Sequence, residues 1–253
     1  MKLTIKPIFK KILFVFPWLN RLRRIFSLSR KYRKTPENVP AQLRNDFLSK
    51  LSRKILDIYN VDLEVFGADN LPSSGNVMLV PNHKSNADSF AIMAALWKAQ
   101  DEPNKERKVP TFLAKKELLD SRILRNALSL NDAFAIDRSN FRESLEVLKE
   151  FSAFVKENKT YGVIFPEGTR VKGKELGEFK SGAFKVAKND YYTIVPVAIS
   201  GSETVFNKDR KGRLKVVVSF LNPLKPTAYM TQEPKAVAER VRKLIQEEID
   251  KNE

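Results

Sequence analysis

The chain has 253 residues, 42% of them hydrophobic and 30% charged, with no cysteine and one histidine. Such a composition describes a folded body of one large domain, and it excludes disulfides, thiol nucleophiles and metal centres built on Cys or several His. The formal net charge of +16 points to an anionic partner, and residues 1–34 contain eleven basic side chains and no acid. The rest of the chain is only mildly basic.

Within that segment Ile5, Ile8, Phe9, Ile12, Leu13 and Phe16 recur at helical spacing, with Lys6, Lys10 and Lys11 largely on the other side. Pro17 is expected to hinge this helix to a second one. There Leu19, Leu22 and Phe26 repeat the stripe among Arg21, Arg23 and Arg24, with Trp18 at the joint. The longest apolar run, Ile12–Leu19, falls far short of the roughly 20 residues a transmembrane span needs. The Asn20–Arg24 stretch that follows lacks the small residues of a signal-peptide cleavage site. A basic helix pair with aromatic residues on its apolar side suits the surface of an anionic bilayer. Lys10, Lys11, Phe16, Trp18, Arg21, Arg23, Arg24 and Phe26 are the expected membrane contacts. Residues 1–35 are therefore expected to form a membrane-association segment ahead of a body spanning 36–253, with residues 1–34 adding little to its core. A core helix with a solvated basic face is the plainer alternative, and a nucleic-acid arm rarely carries so much aliphatic surface.

Along the body the periodicity predicts a helix over Ala41–Tyr59, with Leu43, Phe47, Leu51, Ile55 and Ile58 on its inner face. Extended runs are expected at Val61–Phe66, Val77–Val80, Val109–Leu113, Ala133–Ile136, Tyr161–Phe165, Thr193–Ser200 and Arg213–Phe220. Helices are expected at Ser89–Ala99, Asp120–Leu130, Phe141–Lys156 with Ser139 as its cap, and Pro234–Ile249. This alternation predicts an α/β fold, a mixed sheet flanked by helices, preceded by the amphipathic two-helix segment.

Two strand-to-turn stretches carry chemistry. The first runs from Val80 to Asp88 and holds the single histidine, His83, where a buried strand gives way to a helix. Asp88, in the first helical turn, is placed to accept the imidazole Nδ1–H, which fixes the tautomer and leaves Nε2 as a general base. By itself an isolated His reads as readily as a surface or capping residue. The second stretch, Gly162–Arg170, ends in a turn where Gly168 permits tight backbone, Thr169 offers a hydroxyl and Arg170 a planar fork suited to phosphate. A β-turn with a surface ion pair is the plainer alternative there. A P-loop is excluded, because Gly182 is followed by Ala183 rather than Lys.

Together, Asn82-His83-x4-Asp88 and Phe165-Pro166-Glu167-Gly168-Thr169-Arg170, about eighty residues later, resemble the glycerolipid acyltransferase family. Ala114–Leu118 and Ala133–Arg138 resemble its second block and Ile194–Ile199 its fourth, while Phe179–Ala183 matches the run after its third. The resemblance spans about residues 60–225; Asp132 stands where family members often have Gly, and Lys84 is an unusual filler. It implies transfer of a fatty acyl group from a thioester, acyl-CoA or acyl-acyl-carrier protein, to the free hydroxyl of 1-acyl-glycerol 3-phosphate, a lysophospholipid, giving phosphatidic acid. Glycerol 3-phosphate or another lysophospholipid are the alternative acceptors. It further implies His83 as base and Asp88 as its partner, with Lys115, Arg138, Glu167, Gly168, Thr169 and Arg170 holding the acceptor's phosphate and glycerol. Glu167 would orient glycerol hydroxyls or an arginine. No metal or bound cofactor is expected, and the place implied is the cytoplasmic face of the cell membrane, monotopic or peripheral. A basic nucleic-acid-binding protein is the competing class, and the body's small charge surplus argues against it. A catalytically silent membrane adaptor is disfavoured by the intact His83 and Asp88.

Overall fold

The computed structural model describes residues 5–101, 107–207, 210 and 212–252. Helices α1 (Pro7–Leu13), α2 (Val15–Lys34) and α3 (Ala41–Ile58) lead into strands β1 (Val61–Phe66) and β2 (Val77–Pro81). Then follow α4 (Asp88–Ala99), β3 (Pro110–Lys115), α5 (Arg122–Leu130), β4 (Phe134–Ile136), α6 (Phe141–Glu157) and β5 (Tyr161–Val163). The last elements are α7 (Ser181–Asn189), β6 (Thr193–Ser200), β7 (Leu214–Phe220) and α8 (Pro234–Asn252).

The strands form one mixed seven-stranded sheet in the order β1-β7-β6-β2-β5-β3-β4. Every neighbouring pair is parallel except β6 and β7. Alternation along β2 sets the layers, since successive side chains leave opposite faces of a strand. Val77 and Leu79 join an apolar cluster with Ile25, Phe47, Ile92 and Leu130 from α2, α3, α4 and α5. Met78 and Val80 join the other, with Phe151, Ala187 and Ile245 from α6, α7 and α8. Because both faces are covered, β2 is buried at all five residues, as a central strand in such a sheet must be. β6 even carries a proline, Pro196, but at the end of the β7 ladder, whose pairing with β6 begins only at Val197. Strands β6, β2, β5, β3 and β4 therefore end side by side along one edge.

Several local expectations are corrected. The break between α1 and α2 falls at Phe14, and Pro17 lies inside the first turn of α2. A proline cannot donate to the carbonyl four residues back, so the helix interrupts one turn earlier and restarts with Pro17 where no N–H is needed. The buried face of α3 is rotated from the predicted one: Leu43 is exposed, while Arg44, Leu48, Ser52 and Leu56 are buried. Arg44 accounts for this rotation. Its guanidinium bonds Asp132 at 2.7 Å and the Leu130 carbonyl at 2.9 Å, and it stacks over the Tyr32 ring. Asp132 adopts a φ of 50°, the left-handed conformation that glycine takes most easily, and its carboxylate also accepts from the Tyr32 hydroxyl. Asn140, rather than Ser139, caps α6, accepting from the Glu143 N–H. Ser139 instead bonds the Asp137 carboxylate.

The N-terminal segment is not uniform. Ile25 is 3% exposed and belongs to the core, Ser29 is buried, and Arg33 reaches Asn126 of α5. The expectation that residues 1–34 add little to the core thus fails for the second half of α2, which covers α5. The first half behaves differently. Ile8, Phe9, Ile12, Leu13 and Phe16 are all exposed, Phe16 at 79%. The basic side of α1 faces the body: Lys10 Nζ donates to the Asp57 carbonyl at 2.8 Å and to Asn60, and Lys11 lies over the Tyr59 ring. These residues lie at the C-terminal end of α3 and just beyond it, where the helix dipole favours a cation.

Candidate active site

The end of β2 delivers Asn82, whose amide pairs with both the N–H and the carbonyl of Ile199 in β6. This two-point bond holds the turn against the sheet just before His83. His83 Nδ1 lies 2.9 Å from Asp88 Oδ2. The same oxygen accepts the backbone N–H groups of Lys84 and Ser85, each at 2.8 Å. Asp88 opens α4 and is wholly buried, so its carboxylate is fixed by backbone before it meets the ring. An ionised carboxylate only accepts, so Nδ1 carries the proton and Nε2 presents a lone pair. The Phe165 ring packs on the imidazole with centroids 4.3 Å apart, and the His83 side chain keeps 18% exposure. The ring is oriented from one side by Asp88 and from another by Phe165, yet remains open to a substrate.

The neighbouring parallel strand β5 delivers Phe165 to Arg170. Gly168 sits at φ +67°, which makes the turn, and Thr169 and Arg170 beyond it are exposed. Glu167 is 3% exposed, and both of its oxygens are occupied by backbone: Oε1 accepts from the His83 N–H at 2.7 Å, Oε2 from the Gly177 N–H at 3.0 Å. Glu167 thereby ties the two loops of the site together. A Cβ on Gly177 would stand 2.7 Å from Val171 Cγ2 and 3.0 Å from that carboxylate, which is why the position is glycine. Burial pushes the Glu167 carboxyl above its ordinary value, offset by the two N–H groups and by the Lys84 charge.

The sheet order places β3 and then β4 next to β5, so Lys115 and the turn bearing Arg138 continue the same edge. Strands are about 4.8 Å apart, so Arg138 begins three spacings, about 14 Å, from the His83 strand. Lys115 is paired with Glu117 at 2.7 Å, and Arg138 is exposed. His83, Asp88, Glu167, Gly168, Thr169 and Arg170 are gathered on two adjacent strand ends, with Lys115 and Arg138 further along. Among the N-terminal candidates Phe16 and Arg23 are exposed, and Arg21 stacks on Trp18. Lys10, Lys11, Arg24 and Phe26 are turned towards the body: Arg24 lies over Phe47, and Arg122 of α5 lies over Phe26.

Sequence reasoning missed Asn82, Phe165 and Lys84 as site-building residues, and Lys180, whose side chain lies across Gly168. The first three sit within the stretches already singled out, so position alone was the available signal. The missed helix α7 begins just after Lys180, and its Gly182 start masked the helical period.

A histidine fixed by a buried carboxylate stands beside an arginine-bearing turn at the strand ends of an α/β fold, where such folds place their ligand sites. The chain belongs to the acyltransferase family: the model of that family, described as Acyltransferase, matches residues 62–200. It is an acyl-group transferase. It is 33% identical over 224 residues to the "Probable 1-acyl-sn-glycerol-3-phosphate acyltransferase" of Mycoplasma pneumoniae, covering 84% of this chain and 80% of that one. It is 31% identical over 189 residues to the 1-acyl-sn-glycerol-3-phosphate acyltransferase alpha of Bos taurus, covering 73% of this chain and 62% of that one. The crystal structure of the 1-acyl-sn-glycerophosphate (LPA) acyltransferase of Thermotoga maritima shares the fold, with a TM-score of 0.67 at 21% identity. That match covers 97% of this chain and 92% of the other.

Proposed function

We propose that the enzyme transfers a fatty acyl group from a thioester to the free hydroxyl of 1-acyl-glycerol 3-phosphate, forming phosphatidic acid. The observation that carries this reading is the His83–Asp88 pair, 2.9 Å apart, on the strand end beside Arg170. His83 Nε2 takes the hydroxyl proton as that oxygen attacks the thioester carbonyl. The new C–O ester bond forms, the C–S bond breaks, and the imidazolium returns the proton to the leaving thiolate. Asp88 holds the tautomer and stabilises the imidazolium, as the aspartate does in a serine protease, but no protein nucleophile intervenes. Arg170 receives the acceptor phosphate, with Arg138 and Lys115 further along the strand edge. The Gly168–Thr169 turn lets that phosphate approach the backbone. The donor is acyl-CoA or acyl-acyl-carrier protein, and no metal or bound cofactor takes part.

The acceptor lives in a bilayer, and the outward apolar face of α1 supplies the means of reaching it. Among the described residues no helix is long and apolar enough to cross a membrane. The exposed Ile8, Phe9, Ile12, Leu13 and Phe16 instead suit a helix lying in the interface. Topology supports this placement. Lys10 and Lys11 dock at the end of α3, where β1 begins, and β1 runs opposite to β2, so α1 lies at the sheet edge that holds His83. Arg21, Arg23 and the other basic residues favour the anionic cytoplasmic face of the cell membrane.

Purified protein assayed with labelled acyl thioesters against a panel of lysolipids and glycerol 3-phosphate tests the reading. Lysophosphatidic acid should be the best acceptor, and His83→Ala should lower transfer by at least 10²-fold, the usual contribution of a general base being about 10²–10⁴. More than a tenth of wild-type activity in that variant would remove His83 as the base.

A further inference from the structure

Between Arg170 and Gly177 the chain forms an arch over the site. One foot is pinned where the Val171 N–H bonds the His83 carbonyl at 3.0 Å, the other where the Gly177 N–H bonds Glu167. The crown is held differently. Lys84 Nζ donates to the carbonyls of Gly173, Lys174 and Glu175, at 2.7, 3.2 and 2.7 Å. An ammonium has three N–H donors, and here three carbonyls take them all, so none is left for a substrate. Lys84 itself is buried, whereas Lys172, Gly173, Lys174 and Glu175 are exposed. A Cβ built on Gly173 would meet no atom within 4 Å, so side-chain packing does not hold the crown at that point. The residue beside the catalytic histidine therefore grips the loop that begins at the phosphate-binding arginine.

We infer that Lys84 is a positioning residue: its ammonium, bound by three loop carbonyls, sets the arch that carries Arg170 against His83 and so governs acceptor affinity. The inference rests on the proposed role of Arg170. The Lys84 side chain does not touch the His83–Asp88 contact; its backbone N–H does, and substitution of the side chain leaves that bond in place. Charge alone does not reproduce the strut. A guanidinium spreads its donors over a planar fork, and they do not converge from one nitrogen as these three carbonyls require.

Lys84→Met removes the charge and all three donors while keeping an unbranched apolar stem of similar length. Hydrogen bonds to a charged group contribute about 1.5–3 kcal/mol each, so even one lost net bond shifts opening of the arch by about tenfold or more. Trypsin should cut after Lys172 and Lys174 about tenfold faster in Lys84→Met at a temperature well below a thermal midpoint lowered by only about 2–6 °C, as mass spectrometry of the fragments will show. The acceptor KM should rise about tenfold, with the thioester KM and kcat within about threefold. Lys84→Arg should resemble Lys84→Met in both readouts. Should Lys84→Met fail to fold, Lys84→Gln, shorter and uncharged, reads the same quantities. Cleavage of these variants at the wild-type rate would overturn the inference. So would a wild-type acceptor KM in Lys84→Arg, because charge rather than the strut would then be what matters. The two readings fail separately: a wild-type protein inert towards every acceptor sinks the proposed reaction, while the proteolysis still decides the strut.

Discussion

Glu167 shows how a buried carboxylate can be spent on joining two loops. Each carboxylate oxygen receives one backbone N–H, from His83 and from Gly177, and a carboxylate meets both demands because it only accepts. Glu167→Gln puts an amide NH2 against one of those N–H groups, which leaves a buried donor unpaired at a cost of about 1–3 kcal/mol. Activity should fall by about tenfold or more, because the His83 turn loses one of its ties. Burial raises the native carboxyl, so the folded state holds its proton to higher pH than the unfolded chain does. The sign follows from linkage: this group's stability contribution is full below its free value of 4.5 and declines as pH rises through the raised native value. The stability difference between wild type and Glu167→Gln should shift against the wild type as pH climbs past 4.5. Urea titrations of both proteins from pH 4 to 8 measure it, and parallel profiles would show that Glu167 does not titrate differently in the fold.

At the scale of elements the first two helices have separate physical tasks, although they share one basic, apolar composition. α1 turns its lysines to the end of α3 and its apolar side outward, while α2 from Ile25 onward is covered by α5 and the body. Two truncations distinguish these tasks. Removing residues 1–14 should leave a folded protein whose thermal midpoint is nearly unchanged but which floats poorly with anionic vesicles. Removing residues 1–34 should destabilise it by about 3 kcal/mol or more, since a buried Ile is lost from the core along with the Tyr32 and Arg33 bonds. Equal flotation of the full and shorter chains would place the anchor elsewhere. Equal stability of the two truncated forms would show α2 to be an appendage.

For the whole molecule, two tyrosines knit the layer of α6 and α7 to the segments before β6 and α8, and a third, on the other face of the sheet, ties β5 to the loop before β2. Tyr161 donates to the Pro72 carbonyl at 3.0 Å, Tyr192 to that of Ser152 at 3.0 Å, and Tyr229 to that of Ala187 at 3.1 Å. Burial pushes each phenol up to about 12 from 10.0, because a phenolate at any of these positions would lose both water and its donor role. With native values above unfolded ones, their contribution is whole below pH 10 and is lost as pH rises towards 12. Two units correspond to roughly 2–3 kcal/mol per group. Urea midpoints followed by circular dichroism should therefore drop steeply between pH 10 and 12. A flat profile across that range would mean that the phenols are accessible.

Much of this was legible in the chain itself, for reasons of periodicity and local chemistry. Alternating apolar runs marked most strands and helices, since burial on a sheet face or helix stripe imposes the period. Asn82–Asp88 and Phe165–Arg170 stood out because a polar turn directly after a buried strand is a poor core and a good site. Contacts between segments distant in the sequence were not legible. No local signal says that Arg44 will pair with Asp132 and rotate α3, that Lys10 will meet the end of α3, or that Glu167 will spend both oxygens on His83 and Gly177. Composition and spacing by themselves determined the α/β class, the basic amphipathic start and the candidate dyad. Tertiary packing decided which way each charged group faces, because a buried charge is tolerated only where other parts of the fold supply its partners.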